Sequence, residues 1–221
     1  MLRRRGNEEY LMIELYFAPT GNGRRAALGL LEAGLAFRLI TVDFEEKPGE
    51  LWRHNPSGKI PVLIDPQGPD GQPLALAQSG AILAYVAHKS GRLLPSEARE
   101  RTLAEQWLMF ACSDIAGTSA AIFACGHDVP VAVAENTAFF EQRLYEHFAV
   151  CDGRLEGRDT LVGDDLSVAD LALYPVYAQR KSIIERFAPL PALARWGESM
   201  AARPAVARAM RLDRSSEGVQ S

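Results

Sequence analysis

The sequence has no strong excess of one charge: 24 lysines and arginines stand against 28 aspartates and glutamates in 221 residues, a net charge of -4. Binding to nucleic acid through a broad basic field is therefore not expected. It has no uninterrupted apolar run near the roughly 20 residues that cross a bilayer, so no membrane partner is expected. Its 3 cysteines, Cys112, Cys125 and Cys151, cannot all pair and form no CxxC. Reduced thiols in the cytoplasm are the simplest reading. The 4 histidines (His54, His88, His127, His147) have no metal-ligand spacing, so no metal is expected. There is no internal repeat and no low-complexity tract. The segment after Arg3-Arg4-Arg5, GNEEYLM, is too polar for the core of a signal peptide. Residues 1–11 are expected to form a disordered extension, with no role for the three arginines, and Met12 to open the fold.

What is present changes character near residue 91. Before it, short β-rich runs alternate with helix. Residues 12–17 (MIELYF) alternate as a strand does. Residues 23–33 carry Ala27, Leu30 and Leu31 at helical spacing, and Gly34 follows as a C-cap. Residues 37–44, 60–65 and 73–77 read as three more strands. The turn PQGPDGQ between the last two predicts an antiparallel hairpin. A helix then runs from near Ser79 to Gly91. The order β-α-β followed by β-β-α is a thioredoxin arrangement, with the first two strands parallel. After Leu94-Pro95-Ser96 every segment reads as helix: 97–123, 131–150, 167–187 and 193–203, the last stopped by Pro204. Ser167-Val168-Ala169-Asp170 has the form of a capping box with Asp in place of Glu. The predicted domains are a thioredoxin-like α/β unit over 12–91 and an all-helical unit over 97–212, with a flexible tail at 213–221.

Three stretches carry a resemblance: LYFAPTGNG (15–23), NPSGKIPVL (55–63) and QSGAILAY (78–85). Together with Ser167–Asp170, they are similar to cytosolic glutathione transferases, most of all the bacterial nu-class and its fungal prion-like relatives. The likeness covers residues 12–211. It implies glutathione as cosubstrate and a two-fold homodimer, with the helix Trp107–Phe123 as the candidate surface. It implies transfer of the glutathione thiolate to a small apolar electrophile, a detoxification chemistry. Two alternatives accompany that reading: glutathione-dependent reduction of disulfides or peroxides, as in the nu-class, and a non-catalytic glutathione-binding regulator. By approximate alignment, the polar positions that nu-class members use on a second glutathione fall near Ile122 and Cys151, a departure from their pattern.

The resemblance also assigns roles that the residue types can fill. A thiol titrates near 8.5, and lowering that by about two units takes roughly 2.7 kcal/mol, within reach of one or two charge-assisted hydrogen bonds. Thr20 and Asn22, at a strand-to-helix turn, can donate to sulfur, or can simply cap the helix. Tyr16 competes, because other classes use a tyrosine hydroxyl near this place, although strand alternation could bury it. Ile60-Pro61 is expected to be cis and to offer a backbone edge to the cysteinyl part of glutathione. Gln78-Ser79, at a helix start, suits the γ-glutamyl carboxylate. Lys59, ahead of Arg53 and His54, suits the glycine carboxylate. The string GNGRRA (21–26) with Asp43 also fits a dinucleotide fingerprint, but no further βαβ unit follows it.

Overall fold

The computed structural model describes residues 11–46 and 48–221. The expected extension and its arginine cluster lie, apart from Leu11, outside the described residues. The chain forms two compact units: the first extends to Arg92 and resumes at Pro204–Ser221, and the second is Leu93–Arg203.

In the first unit, β1 (Ile13–Phe17) and β2 (Phe37–Thr41) are parallel, joined by α1 (Gly21–Ala33). A six-residue helix, α2 (Gly49–His54), precedes β3 (Val62–Asp65), which runs antiparallel to β1 and forms the expected hairpin with β4 (Leu74–Ala77). Helix α3 (Ser79–Ser90) follows directly. Leu15, Phe17, Phe37, Leu39 and Leu63 are fully buried in the sheet, and Ala26, Leu28 and Leu30 on α1. Helices α1 and α3 pack at Gly29, where a Cβ would lie 2.5 Å from Leu83 Cδ2. Gly34 ends α1 in the left-handed region, its N–H reaching the carbonyls of Leu30 and Leu31, as expected of a C-cap.

The C-terminal residues differ from the expectation. Pro204 does not merely stop the preceding helix; it begins α9 (Pro204–Arg211), which buries Val206 and Ala209 and packs on α1. After a 3-10 turn (Arg214–Ser216), β5 (Gly218–Gln220) pairs antiparallel with β2. The stretch read as a flexible tail is thus the fifth strand of a sheet ordered β4-β3-β1-β2-β5. The physical reason is that β2 would otherwise leave its ladder groups unpaired at an edge. Arg214 bonds Asp43 at 2.8 Å, and Thr41 Oγ1 donates to Glu217 at 2.9 Å, which seat the strand.

The second unit is all helical. A continuous helical run, Ala98–His127, comprises α4 (Ala98–Phe110), a π-helical turn (Ala111–Ile115) and α5 (Ala116–His127). Then come α6 (Ala134–Leu155), α7 (Val168–Ile184) and α8 (Pro191–Ala201). By length and composition the run is long and apolar enough to cross a bilayer, contrary to the sequence expectation. Its apolarity comes from many alanines and from a core face of Trp107, Leu108, Ile115 and Ile122, and it packs on α6 and α7 within the unit. The predicted capping box is present. Ser167 caps α7 and Asp170 answers it; Asp170 also accepts from Leu161 N and Trp196 Nε1 at 2.9 and 3.1 Å.

Candidate active site

Strand register places the candidate residues. Tyr16 is opposite Val62, and Val62 is opposite Ala77, across β1, β3 and β4. The turn leaving β1, the Pro61 loop entering β3, and Gln78-Ser79 leaving β4 therefore share one end of the sheet. This end, beyond the carboxyl terminus of β1, is where open α/β sheets bind ligands. All of these residues lie in the first unit.

The β1–α1 turn is tightly constrained. Thr20 N donates to Ala18 O at 2.7 Å, and Gly23 N donates to Thr20 Oγ1 at 3.1 Å, so Thr20 is the N-cap of α1. Glycine is required at position 23, because a Cβ would stand 2.1 Å from Ala18 O. Thr20 therefore does cap the helix, using an oxygen lone pair and keeping its hydroxyl proton for another acceptor. Asn22 is exposed, and its Oδ1 accepts from Arg25 Nη1 at 2.6 Å. The same nitrogen donates to Ser79 Oγ at 2.8 Å, and Ser79 Oγ stands 3.5 Å from Asn22 Oδ1. A buried arginine, 1% exposed, thus joins the turn after β1 to the start of α3. Arg25 is given no role at the site by the sequence analysis. The available signal was its place among Ala26, Ala27, Leu30 and Ala33 on a helix whose first turn enters the site.

Tyr16 is placed differently. It is 4% exposed, packed with Val42, Leu51 and Val62, and its hydroxyl donates to Glu50 at 3.3 Å. Burial, reinforced by the Glu50 carboxylate, pushes its pKa up to about 12. A phenol so placed is a poorer donor to a thiolate than an ordinary one, and its proton is already engaged.

Ile60-Pro61 is cis, as expected. The loop before it is tied by Asn55, whose side chain donates to Lys59 O at 2.7 Å and accepts from Ser57 N and Oγ. Gly58, at φ +60, sits under the Trp52 ring, where a Cβ would fall 2.3 Å from the indole. Lys59 is held outward and exposed. Gln78 has φ 72 and ψ 114, a conformation that costs a non-glycine residue of order 1–3 kcal/mol and that clusters at ligand clamps. It directly precedes the N-terminus of α3, whose first N–H groups are available to an anion. Among the described residues, no group of three histidine, cysteine or acidic side chains could hold a metal ion. Cys151 is buried, and burial pushes its thiol to about 12, so it is not a nucleophile at neutral pH.

A thioredoxin-type sheet with a cis-proline loop and a helix start facing one another, followed by a helical unit, defines a glutathione transferase architecture. The comparisons agree. The N-terminal domain profile of glutathione S-transferase matches residues 22–89, and the C-terminal domain profile matches residues 134–204. The disulfide-bond oxidoreductase YfcG of Escherichia coli K12 is 38% identical over 208 residues, covering 90% of this chain and 94% of its own. The chain therefore belongs to the glutathione S-transferase family. A glutathione transferase family member from Pseudomonas fluorescens Pf-5, solved with two glutathione molecules bound, superposes with a TM-score of 0.82 at 32% identity, covering 91% and 93% of the two chains. Ure2p in complex with glutathione gives 0.81 at 26% identity, over 91% and 93%. Both branches named by the sequence resemblance, the bacterial nu-class and the fungal prion-like proteins, are thus represented.

Proposed function

We propose that this protein is a glutathione-dependent disulfide-bond oxidoreductase. The observation that carries the reading is the set Asn22, Arg25 and Ser79, hydrogen-bonded to one another beside the Thr20 cap, in a chain 38% identical to a disulfide-bond oxidoreductase. Transfer to an electrophile led the reading of the sequence, and it needs the same thiolate. The relative shifts the preference to reduction. Ile122 and Cys151, the departure from the nu-class pattern, are 6% and 0% exposed, so neither offers a polar group to a second glutathione, and this counts against the disulfide reading.

Glutathione supplies the thiolate, and the overall exchange takes two glutathiones and one disulfide to glutathione disulfide and two thiols. The chain holds the tripeptide and steadies the anion. Lys59 meets the glycine carboxylate; the backbone at Ile60-Pro61 pairs with the cysteinyl unit; Gln78, Ser79 and the start of α3 take the γ-glutamyl carboxylate. Thr20 Oγ1–H and Asn22 Nδ2–H are the donors to sulfur, each worth about 1.5–3 kcal/mol toward an ionised partner. Tyr16 is left as a packing residue. The protein acts as a homodimer, with Met109 and Phe123, both more than half exposed, on the surface of the helical run available for the partner.

The test is a side-by-side turnover measurement with glutathione, using a small alkyl disulfide in one assay and an aryl halide in the other. Faster kcat/KM on the disulfide, lost in Asn22→Ala, is the expected result. Conjugation of the aryl halide with no disulfide turnover returns the transferase reading. Binding with neither activity returns the regulatory one.

A further inference from the structure

We infer that Arg25 is a positioning residue that fixes which end of the Asn22 amide faces the ligand. A guanidinium donates and never accepts. The Asn22 atom 2.6 Å from Arg25 Nη1 must then be the carbonyl oxygen, since an amide N–H turned there would oppose another donor at contact distance. Ser79 Oγ accepts from the same nitrogen and donates toward the same oxygen at 3.5 Å, so a second donor, a hydroxyl, backs that orientation. With Oδ1 held inward, the Asn22 Nδ2–H groups turn outward, on an exposed residue. Arg25 itself is 1% exposed and sits behind Asn22 and Ser79. It acts through Asn22 and does not touch the sulfur.

An asparagine amide reads its two ends almost equally by shape, and its two orientations have opposite effects on a thiolate. The N–H end stabilises it and the carbonyl end repels it. A donor-only partner behind the amide removes the second orientation. This inference rests on Asn22 being the sulfur donor, and the experiment separates the two claims.

The thiol pKa of bound glutathione is read from thiolate absorbance against pH, with the glutathione Kd measured alongside. The variants are Asn22→Ala, Arg25→Met, Arg25→Lys and the double Asn22→Ala/Arg25→Met. Asn22→Ala should raise the bound thiol pKa by about 1 to 2, the loss of one charge-assisted hydrogen bond. Arg25→Met should raise it by a comparable amount, and the double variant no further than Asn22→Ala alone. Arg25→Lys, also donor-only, should keep the thiol pKa near that of the parent. If Arg25→Met does not fold, Arg25→Gln carries the same test, because its amide can accept as well as donate. A weakened Kd with an unmoved thiol pKa in Arg25→Met, or a shift that adds to that of Asn22→Ala, overturns the positioning role while leaving Asn22 in place. An unmoved thiol pKa in Asn22→Ala itself overturns both, and shows that the site reading is what failed.

Discussion

Each unit has a buried polar network, one around Asp170 and one around Arg25, and the two are finished differently. In the helical unit, Asp170 is 0% exposed and every contact around it points inward: Leu161 N, Ser167 N, Ser167 Oγ and Trp196 Nε1 all donate to its two oxygens. Burial pushes its carboxyl up, and the four donors pull against that push. In the thioredoxin-like unit, Arg25 is as deeply buried, but the network it starts ends at Asn22, which is exposed. The first network is closed, because each group in it satisfies another, and its function is to hold a loop, a helix start and a tryptophan together. The second is open, with donors left over where the chain meets solvent. A closed polar network serves as a structural joint, whereas an open one still has donors to offer to a partner from outside the chain.

The comparison can be pressed by mutation. The largest effect belongs to the closed network. Asp170→Ala leaves several buried donors unpaired and should cost about 3–5 kcal/mol in urea unfolding, with Asp170→Asn costing less because it keeps the shape and one acceptor. A loss below about 1 kcal/mol would show that the network is not a joint. Gly23→Ala comes next. The added methyl must displace the Ala18 carbonyl, so a destabilisation of about 1–3 kcal/mol should accompany loss of glutathione binding by calorimetry. Thr20→Val removes an N-cap and should cost about 1 kcal/mol by thermal melting, while raising the bound thiol pKa if its proton faces sulfur. Smallest is Arg214→Ala. Its ion pair with Asp43 is well exposed, and its loss should change stability by about 0–1 kcal/mol, leaving β5 in place by amide exchange.

Much of the fold is legible in the sequence because it rests on local signals. Gly34, the PQGPDGQ turn and Ser167–Asp170 mark a helix end, a hairpin and a helix start through their own chemistry, and each is found in its expected place. What was not legible depends on distance. Helix α2 is six residues long and buries only Leu51, too little for a periodic pattern. Strand β5 has three residues, and its partner β2 lies about 180 residues earlier, so nothing nearby announces it. The site divides in the same way. Thr20, Pro61 and Ser79 stand in recognisable turns and caps. Arg25 becomes part of the site only when α1 is laid against α3, and the direction of Tyr16 is settled by Glu50, 34 residues away.

The central claim is that the turn after β1 lowers the pKa of a bound thiol through Asn22 and Thr20 and not through Tyr16. The most direct measurement is the thiolate absorbance of bound glutathione across pH in the parent, Asn22→Ala and Tyr16→Phe. The parent thiol should titrate well below about 8.5, and its pKa should rise in Asn22→Ala and stay unchanged in Tyr16→Phe. A parent thiol that titrates as it does free in water, or one that rises only in Tyr16→Phe, would contradict it.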